Sequence, residues 1–287
     1  MSEIVSVIVF ALEIGSVYAL MNFGFVYLIR ATGVVSFAQG QIATLGGLVA
    51  VHFSEAYGLT LGLIITFVVI ALGSVIAYYV VLQLFHGRSE FVRVIGTFML
   101  GLVILELCGL VWGSRPYTLP VQVETAIDFG SVHIPIIALI DIGGVGFIIL
   151  SAAFLLKKTG AGIQFRAFGD DEVLAQYRGV RFRRLNAMAW AIASCAALAA
   201  AVVYAQRSPV STDMWTIGLA AFPGAVIGGL DSVAGTFIGS ILVALVAGFI
   251  SYYYSGTIGN IVTYGLMLVA LLFLPNGLLG SRRAQRL

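Results

Sequence analysis

Charge is what this chain has least of: Asp, Glu, Lys and Arg make up 10% of its 287 residues, where a soluble globular domain carries about 25%. So little polar surface cannot keep a chain of this size in water. Cysteine is as scarce. Cys108 and Cys195 each lie inside an apolar stretch, which excludes a disulfide framework and a zinc site and leaves both as packing residues. The only lysines, Lys157 and Lys158, do not follow the spacing G-x-x-x-x-G-K-[ST], so the chain has no Walker A loop and any ATP hydrolysis belongs to another subunit. His52, His86 and His133 fall at segment ends, which makes a shared metal or catalytic cluster a poor expectation and disfavours a membrane-embedded enzyme. A net charge of +2 gives nucleic-acid binding no support.

What the chain has instead is apolar length, 60% hydrophobic residues. Long apolar runs cover about 4–29, 38–53, 59–84, 91–112, 133–156, 186–206, 217–230, 233–254 and 258–274. In hydrocarbon the backbone must satisfy its hydrogen bonds within each segment, and the period-2 alternation of a membrane barrel is missing. The expected fold is therefore all-α: a polytopic transmembrane bundle of 8 to 10 spans in one domain covering residues 1–287. Met1 to Val5 lack the basic start of a signal peptide, so the first run is expected to remain as the first span.

If all nine segments cross, one side collects Arg30, Arg88, Arg93, Lys157, Lys158, Arg166, Arg178, Arg181, Arg183, Arg184, Arg282, Arg283 and Arg286, leaving Arg115 and Arg207 opposite. The positive-inside rule makes the first side cytoplasmic, with the C-terminus there and the N-terminus outside. Trp112, Tyr117, Trp215 and Tyr252 to Tyr254 then fall at outer ends, as interfacial aromatics do. Should 38–53 dip in and return instead, only Arg30 changes side and the N-terminus reverses.

Two segments are short and interrupted by glycine. Segment 38–53 follows the loop Ala31 to Gly40, and 217–230 runs into Gly228-Gly229-Leu230-Asp231-Ser232-Val233-Ala234-Gly235. Fourteen to sixteen helical residues reach only about 21–24 Å, so the two loops are expected to lie recessed from the cytoplasmic surface. Short Gly-interrupted segments in the two halves of a transporter point to the substrate pathway; glycine that merely lets helices pack closely is the other account. The polar groups at these places are Asn22, Ser36, Gln39, Gln41 and Thr44 in the first half and Asp231, Ser232 and Thr236 in the second.

The longest polar stretch, 157–185, combines basic residues with Asp170-Asp171-Glu172. An aspartate there would cap a short helix over Val173 to Arg178 that Gly179 closes. Its apolar side would suit docking on a motor subunit; a basic loop held at anionic lipid fits the same spacing. Glu13, Glu106 and Asp141 lie within spans, near their outer ends, and are the residues that a self-sufficient channel or ion-coupled carrier would use.

Gly15-Ser16-Val17-Tyr18-Ala19-Leu20, Thr32-Gly33-Val34-Val35-Ser36-Phe37-Ala38-Gln39-Gly40 and Leu45-Gly46-Gly47 resemble the N-terminal signature of branched-chain amino acid ABC transporter permeases of the LivH type. Arg166-Ala167 through Ala175 and Gly179-Val180 resemble that family's coupling loop; Gly228 to Gly235 with Leu274-Pro275-Asn276-Gly277-Leu278 resemble its C-terminal half. The resemblance implies a subunit of an ATP-driven importer in the bacterial inner membrane. A second related permease, two cytoplasmic ATP-binding subunits and an extracytoplasmic substrate-binding protein would accompany it. It would bind no cofactor itself, with ATP and Mg on the partners, and Arg166, Asp170, Asp171, Glu172, Ala175, Gln176 and Gly179 would couple it to the motor. The family commonly has Asn at the place of Ser36 and often His at that of Gln39, so cargoes beyond leucine, isoleucine and valine come into view: urea, short amides, and aromatic or other carboxylic acids.

Overall fold

A computed structural model describes residues 2–121, 126–129, 132–160, 162–165 and 181–280. Among them the nine apolar runs become nine α-helices: α1 (Ser2–Thr32), α2 (Gln39–Tyr57), α3 (Leu59–Val80), α4 (Glu90–Trp112), α5 (Ile136–Lys158), α6 (Phe182–Ala205), α7 (Thr216–Gly228), α8 (Val233–Tyr253) and α9 (Gly256–Phe273). Single turns of 3₁₀ helix at Leu82–Phe85 and Thr212–Trp215 extend α3 and lead into α7. A small antiparallel hairpin, β1 (Ala126–Phe129) with β2 (Val132–Pro135), joins α4 to α5. Strands of four residues make no long apolar run and so leave no mark in the hydropathy pattern.

Among the described residues six helical stretches are long and apolar enough to cross a membrane: α1, α3 with its 3₁₀ turn, α4, α6, α8 and α9. The protein is thus a multi-pass helical bundle. The apolar part of α5, Ile136–Ala152, is shorter, and α2 and α7 stand outside that set. α7 has only 13 residues. α2 is longer than its apolar run, 19 residues or about 28 Å. His52, Ser54 and Glu55 interrupt the hydrophobicity there without interrupting the backbone ladder. Gly58, at φ +82°, turns the chain directly into α3, a conformation that side chains with a Cβ rarely adopt.

Buried faces are built from small residues and exposed faces from large apolar ones, the arrangement expected where lipid replaces water. In α3 the buried positions are Gly62, Thr66, Ile70, Ser74 and Tyr78, one every fourth residue, while Leu61, Ile64, Val68, Leu72 and Ile76 face outward. α8 buries Gly235, Thr236, Gly239, Ser240, Val243 and Ala244. Hydroxyls on these faces bond back to their own helix: Thr66 to Gly62 O at 2.7 Å, Thr263 to Gly259 O at 2.9 Å. Each of these two hydroxyls thereby keeps its hydrogen paired inside its own helix.

α1 is the central helix, packed against α5, α6, α7 and α8, and α2 sits between α3, α4 and α6. The recess lies in one of the expected places and in one unexpected place. A Cβ on Gly24 would collide with the amide end of the Gln39 side chain; Gly24 stands eight residues before the end of α1, so the first residue of α2 reaches into the bundle. The Gly228–Gly235 loop, by contrast, lies near the end of α1, where Arg30 donates to the Asp231 carbonyl. The recessed end of α7 is its beginning. Trp215, placed by sequence at an outer interface, has its carbonyl oxygen against Gly40, and a Cβ on Gly218 would stand 2.8 Å from Gly40 Cα. The segment before α7 dips inward to get there, with Val210 bonded to Tyr117 and packed on Gly47.

Candidate functional site

The starts of α2 and of the short α7 therefore meet, at a crossing that only glycine permits; α2 itself, expected to be short, has 19 residues. α2 opens without a side-chain cap. Beside the crossing, Phe25, Phe37, Gln41, Trp215, Leu219 and Phe222 enclose a space of about 10 Å³. Gln41 is buried there and its Oε1 has no partner.

The other expected pathway residues surround this point at different depths. Asn22 is fully buried; its Nδ2 donates to the Ala221 carbonyl and to Ser240 Oγ, each at 2.8 Å, so one amide joins α1 to both α7 and α8. Gln39 Nε2 donates to the Ala193 carbonyl of α6 at 2.6 Å, and its Oε1 is unpartnered. Thr44 bonds to Gly40 O in its own helix at 3.1 Å. Ser36 is buried with a free hydroxyl at the edge of a separate cavity.

In the second half, Ser232 caps α8 by accepting from Gly235 N at 3.0 Å, and Thr236 bonds to the Ser232 and Val233 carbonyls. Asp231 presents its carbonyl to the Arg30 guanidinium, through Nε at 2.8 Å and also through Nη2. The structure thus brings Asn22 to α8, one turn beyond Thr236, and sets Asp231 and Ser232 apart from the residues of α2. Ser240, which completes the link, was legible only as the residue one turn after Thr236 on the same helix face.

The glycine motifs of the C-terminal half converge. Leu278 N and Leu279 N donate to the Ile227 and Gly228 carbonyls at 2.8 and 3.1 Å. Gly277, at φ +73°, packs against Gly229, at φ +109°. A Cβ on Gly228 would collide with the Gly235 backbone, and one on Gly224 would stand 2.8 Å from Ser240 Cα. α7 and α8 approach closely between Gly224–Gly228 and Gly235–Ser240, as small-residue interfaces allow.

Of the span carboxylates, two come together. Arg207 Nη2 lies 2.5 Å from Glu13 Oε1, and Gln206 Nε2 donates to Asp141 Oδ1 at 3.1 Å. Adjacent residues after α6 therefore tie down α1 and α5. Glu106 lies elsewhere, exposed on α4. Arg166, Asp170, Asp171, Glu172, Ala175, Gln176 and Gly179, the expected coupling residues, lie outside the described residues.

Comparison with known proteins gives this geometry a context. Residues 7–271 match the family model described as the permease component of the branched-chain amino acid transport system. The chain is 23% identical over 293 residues to the high-affinity branched-chain amino acid transport system permease protein LivH of Salmonella typhimurium, covering 95% of this chain and 94% of that one. To BraD of Pseudomonas aeruginosa, which bears the same description, it is 24% identical over 292 residues, covering 96% and 95%. To the probable branched-chain amino acid transport permease protein LivH of Methanocaldococcus jannaschii it is 25% identical over 288 residues, covering 94% and 90%. In fold it is similar to a chain of PsaBC from Streptococcus pneumoniae in complex with Fab, with a TM-score of 0.53, 17% identity, and 93% and 91% coverage. A match running through all nine helices leaves one assignment: the chain belongs to the permease family of branched-chain amino acid transport systems.

Proposed function

We propose that the chain is the membrane-spanning subunit of an ATP-driven importer for branched-chain amino acids or chemically related small solutes, such as urea, amides, and aromatic or other carboxylic acids. The observation that carries this reading is the family match over residues 7–271, together with a sequence that lacks a Walker A loop and so needs a separate motor. A second related permease, two ATP-binding subunits holding ATP and Mg, and an extracytoplasmic binding protein complete the assembly. The arginine-bearing end faces the cytoplasm of a bacterial inner membrane, and the C-terminus lies on that side.

Alternating access requires helices that slide without losing contact, which is what glycine backbones in contact at Gly40–Gly218 and along α7 and α8 allow. Asn22, Ser36, Gln39, Gln41, Thr44, Asp231, Ser232 and Thr236 serve as polar groups of the pathway when α2 and α7 part. Arg166, Asp170 to Glu172, Ala175, Gln176 and Gly179 dock on the motor. Vesicles containing the assembled transporter test this. Uptake of labelled valine should require both ATP and binding protein, and uptake by this chain alone, as an ion-coupled carrier, would refute it. Gly179→Pro should abolish uptake while the protein still inserts; normal uptake would remove the coupling assignment.

A further inference from the structure

A second cavity lies at the arginine-bearing end, between the ends of α1 and α3 and the starts of α4 and α6. It holds about 50 Å³, several times the roughly 10–15 Å³ that one water needs. Ser36 reaches it from the loop after α1, Gln83 and Phe85 from the 3₁₀ turn after α3, Arg93 from α4, and Asn186 with Trp190 from successive turns of α6. Its depth is that of a membrane surface. The span formed by α3 and its turn ends at Phe85 and the next begins at Glu90, so the cavity sits where hydrocarbon gives way to lipid head groups.

The polar groups around it are of two kinds. Tyr78 and Asn186 satisfy one another through a side-chain hydrogen bond. Two others are open. Ser36 is 1% exposed and its Oγ has no partner, and the buried Arg93 Nε has none either. Buried polar groups in folded proteins are almost always paired, so these two atoms at one cavity mark a place that a ligand fills.

Charge specifies the ligand. Arg93 Nη1 donates to the Thr32 carbonyl at 2.9 Å, which anchors the guanidinium by one nitrogen and leaves Nε–H free. Arg183 stands at the same cavity. With its amide oxygen turned toward α6, Gln83 accepts from Arg183 Nη2 and Nε at 3.2 and 3.1 Å, and the guanidinium is near enough to Tyr78 to act electrostatically on its hydroxyl. No carboxylate of the described residues lines the cavity, so two cations border it with no anion between them. A phosphate, whose oxygens point in several directions, can accept from α4, from α6 and from the loop after α1 at once, and guanidinium matches its geometry.

A place for lipid chains adjoins the cavity. α3 and α4 are joined through the 3₁₀ turn and otherwise pack side by side on α2 rather than on each other, which leaves a cleft between them. On either side of the turn that closes this cleft, Leu84 and Phe91 are 74% and 73% exposed. We infer that the cavity binds the phosphate of an anionic phospholipid, held by Arg93, Arg183 and Ser36, with the acyl chains in the cleft between α3 and α4. An amine-bearing head group would find no counter-charge among the lining residues, so a glycerol head is favoured over ethanolamine or choline. The site does not depend on transport and stands or falls independently of the importer reading.

The test is equilibrium binding of radiolabelled phosphatidylglycerol to the full-length chain in zwitterionic detergent micelles. About 1 M salt, with a Debye length of about 3 Å, screens diffuse surface attraction. Phosphatidylcholine with the same acyl chains should compete more weakly. Arg93→Gln and Arg183→Gln should each weaken binding about tenfold, the loss of one hydrogen bond to a charged group. Arg184→Gln, at the exposed start of α6 and outside the cavity, should bind as wild type does. Arg183 is itself exposed, so its variant serves if the Arg93 variant does not fold. A large molar excess of inorganic phosphate should leave the lipid bound; displacement would assign the site to a free oxyanion and overturn the lipid. The inference is also overturned if phosphatidylcholine binds as tightly, if Arg183→Gln binds as wild type does, if Arg184→Gln loses as much as Arg183→Gln, or if a structure in phosphatidylglycerol shows only water or one of the chain's own carboxylates in the cavity.

Discussion

Replacing Asn22 by alanine separates two roles that the sequence alone could not distinguish, a pathway group and a structural tie. The side chain is fully buried and makes two bonds, to the Ala221 carbonyl of α7 and to Ser240 Oγ of α8. Interhelical hydrogen bonds inside membranes contribute about 0.6 kcal/mol on average and at most about 1.7. Two of them give an expected loss of about 1–3 kcal/mol for Asn22→Ala. Ser240→Ala removes one of these bonds along with Ser240's own bond to the Thr236 carbonyl, so a double-mutant cycle isolates the shared bond. Its coupling energy should be about 0.6–1.7 kcal/mol, read by equilibrium unfolding in bicelles. Coupling below about 0.3 kcal/mol, inside the scatter of independent sites, would refute the tie. Full stability of Asn22→Ala combined with lost uptake would assign the residue to the pathway instead.

Gly235→Ala should destabilise by about 1–3 kcal/mol, since its Cβ meets the Gly228 backbone, which cannot rotate away. Gly265→Ala, with nothing within 4 Å of the added methyl, should leave the unfolding midpoint unchanged or slightly raised. Arg207→Ala leaves the buried Glu13 carboxylate unpaired. A fully buried pair broken this way costs about 3–5 kcal/mol, and because the Arg207 side chain is 34% exposed the loss here should be smaller; adding Glu13→Gln should recover most of it in the same unfolding assay. Arg30→Ala should release the loop at Asp231, read as faster amide exchange confined to residues 229–232 while α8 stays protected.

The helices themselves were legible because the signal for a membrane helix is long and redundant: every one of the nine apolar runs became a helix, most within two or three residues of its expected ends. What failed is instructive. α2 continues four residues past its apolar run because hydrogen bonding, not hydrophobicity, ends a helix, and Gly58 is where the ladder stops. The hairpin after α4 was invisible because its strands are four residues long. Trp215 was assigned by the average habit of tryptophan, which carries no knowledge that its segment dips inward to Gly40.

For the site, residue type was informative and partnership was not. Asn22, Gln39 and Gln41 stood out because polar amides are costly in hydrocarbon. Sequence could not say that Asn22 holds Ser240, 218 positions away, or that Ser36 faces Arg93, Tyr78 and Asn186 around one cavity. Composition, apolar run length and glycine placement determined by themselves that this chain lives in a bilayer as a helical bundle with one short helix at α7, because those are local costs summed along the chain. Which ends of α2 and α7 meet, which buried polar atoms pair and which are left open were decided only by the tertiary structure. They depend on where α1 holds helices that are distant in sequence, and no local free energy records that.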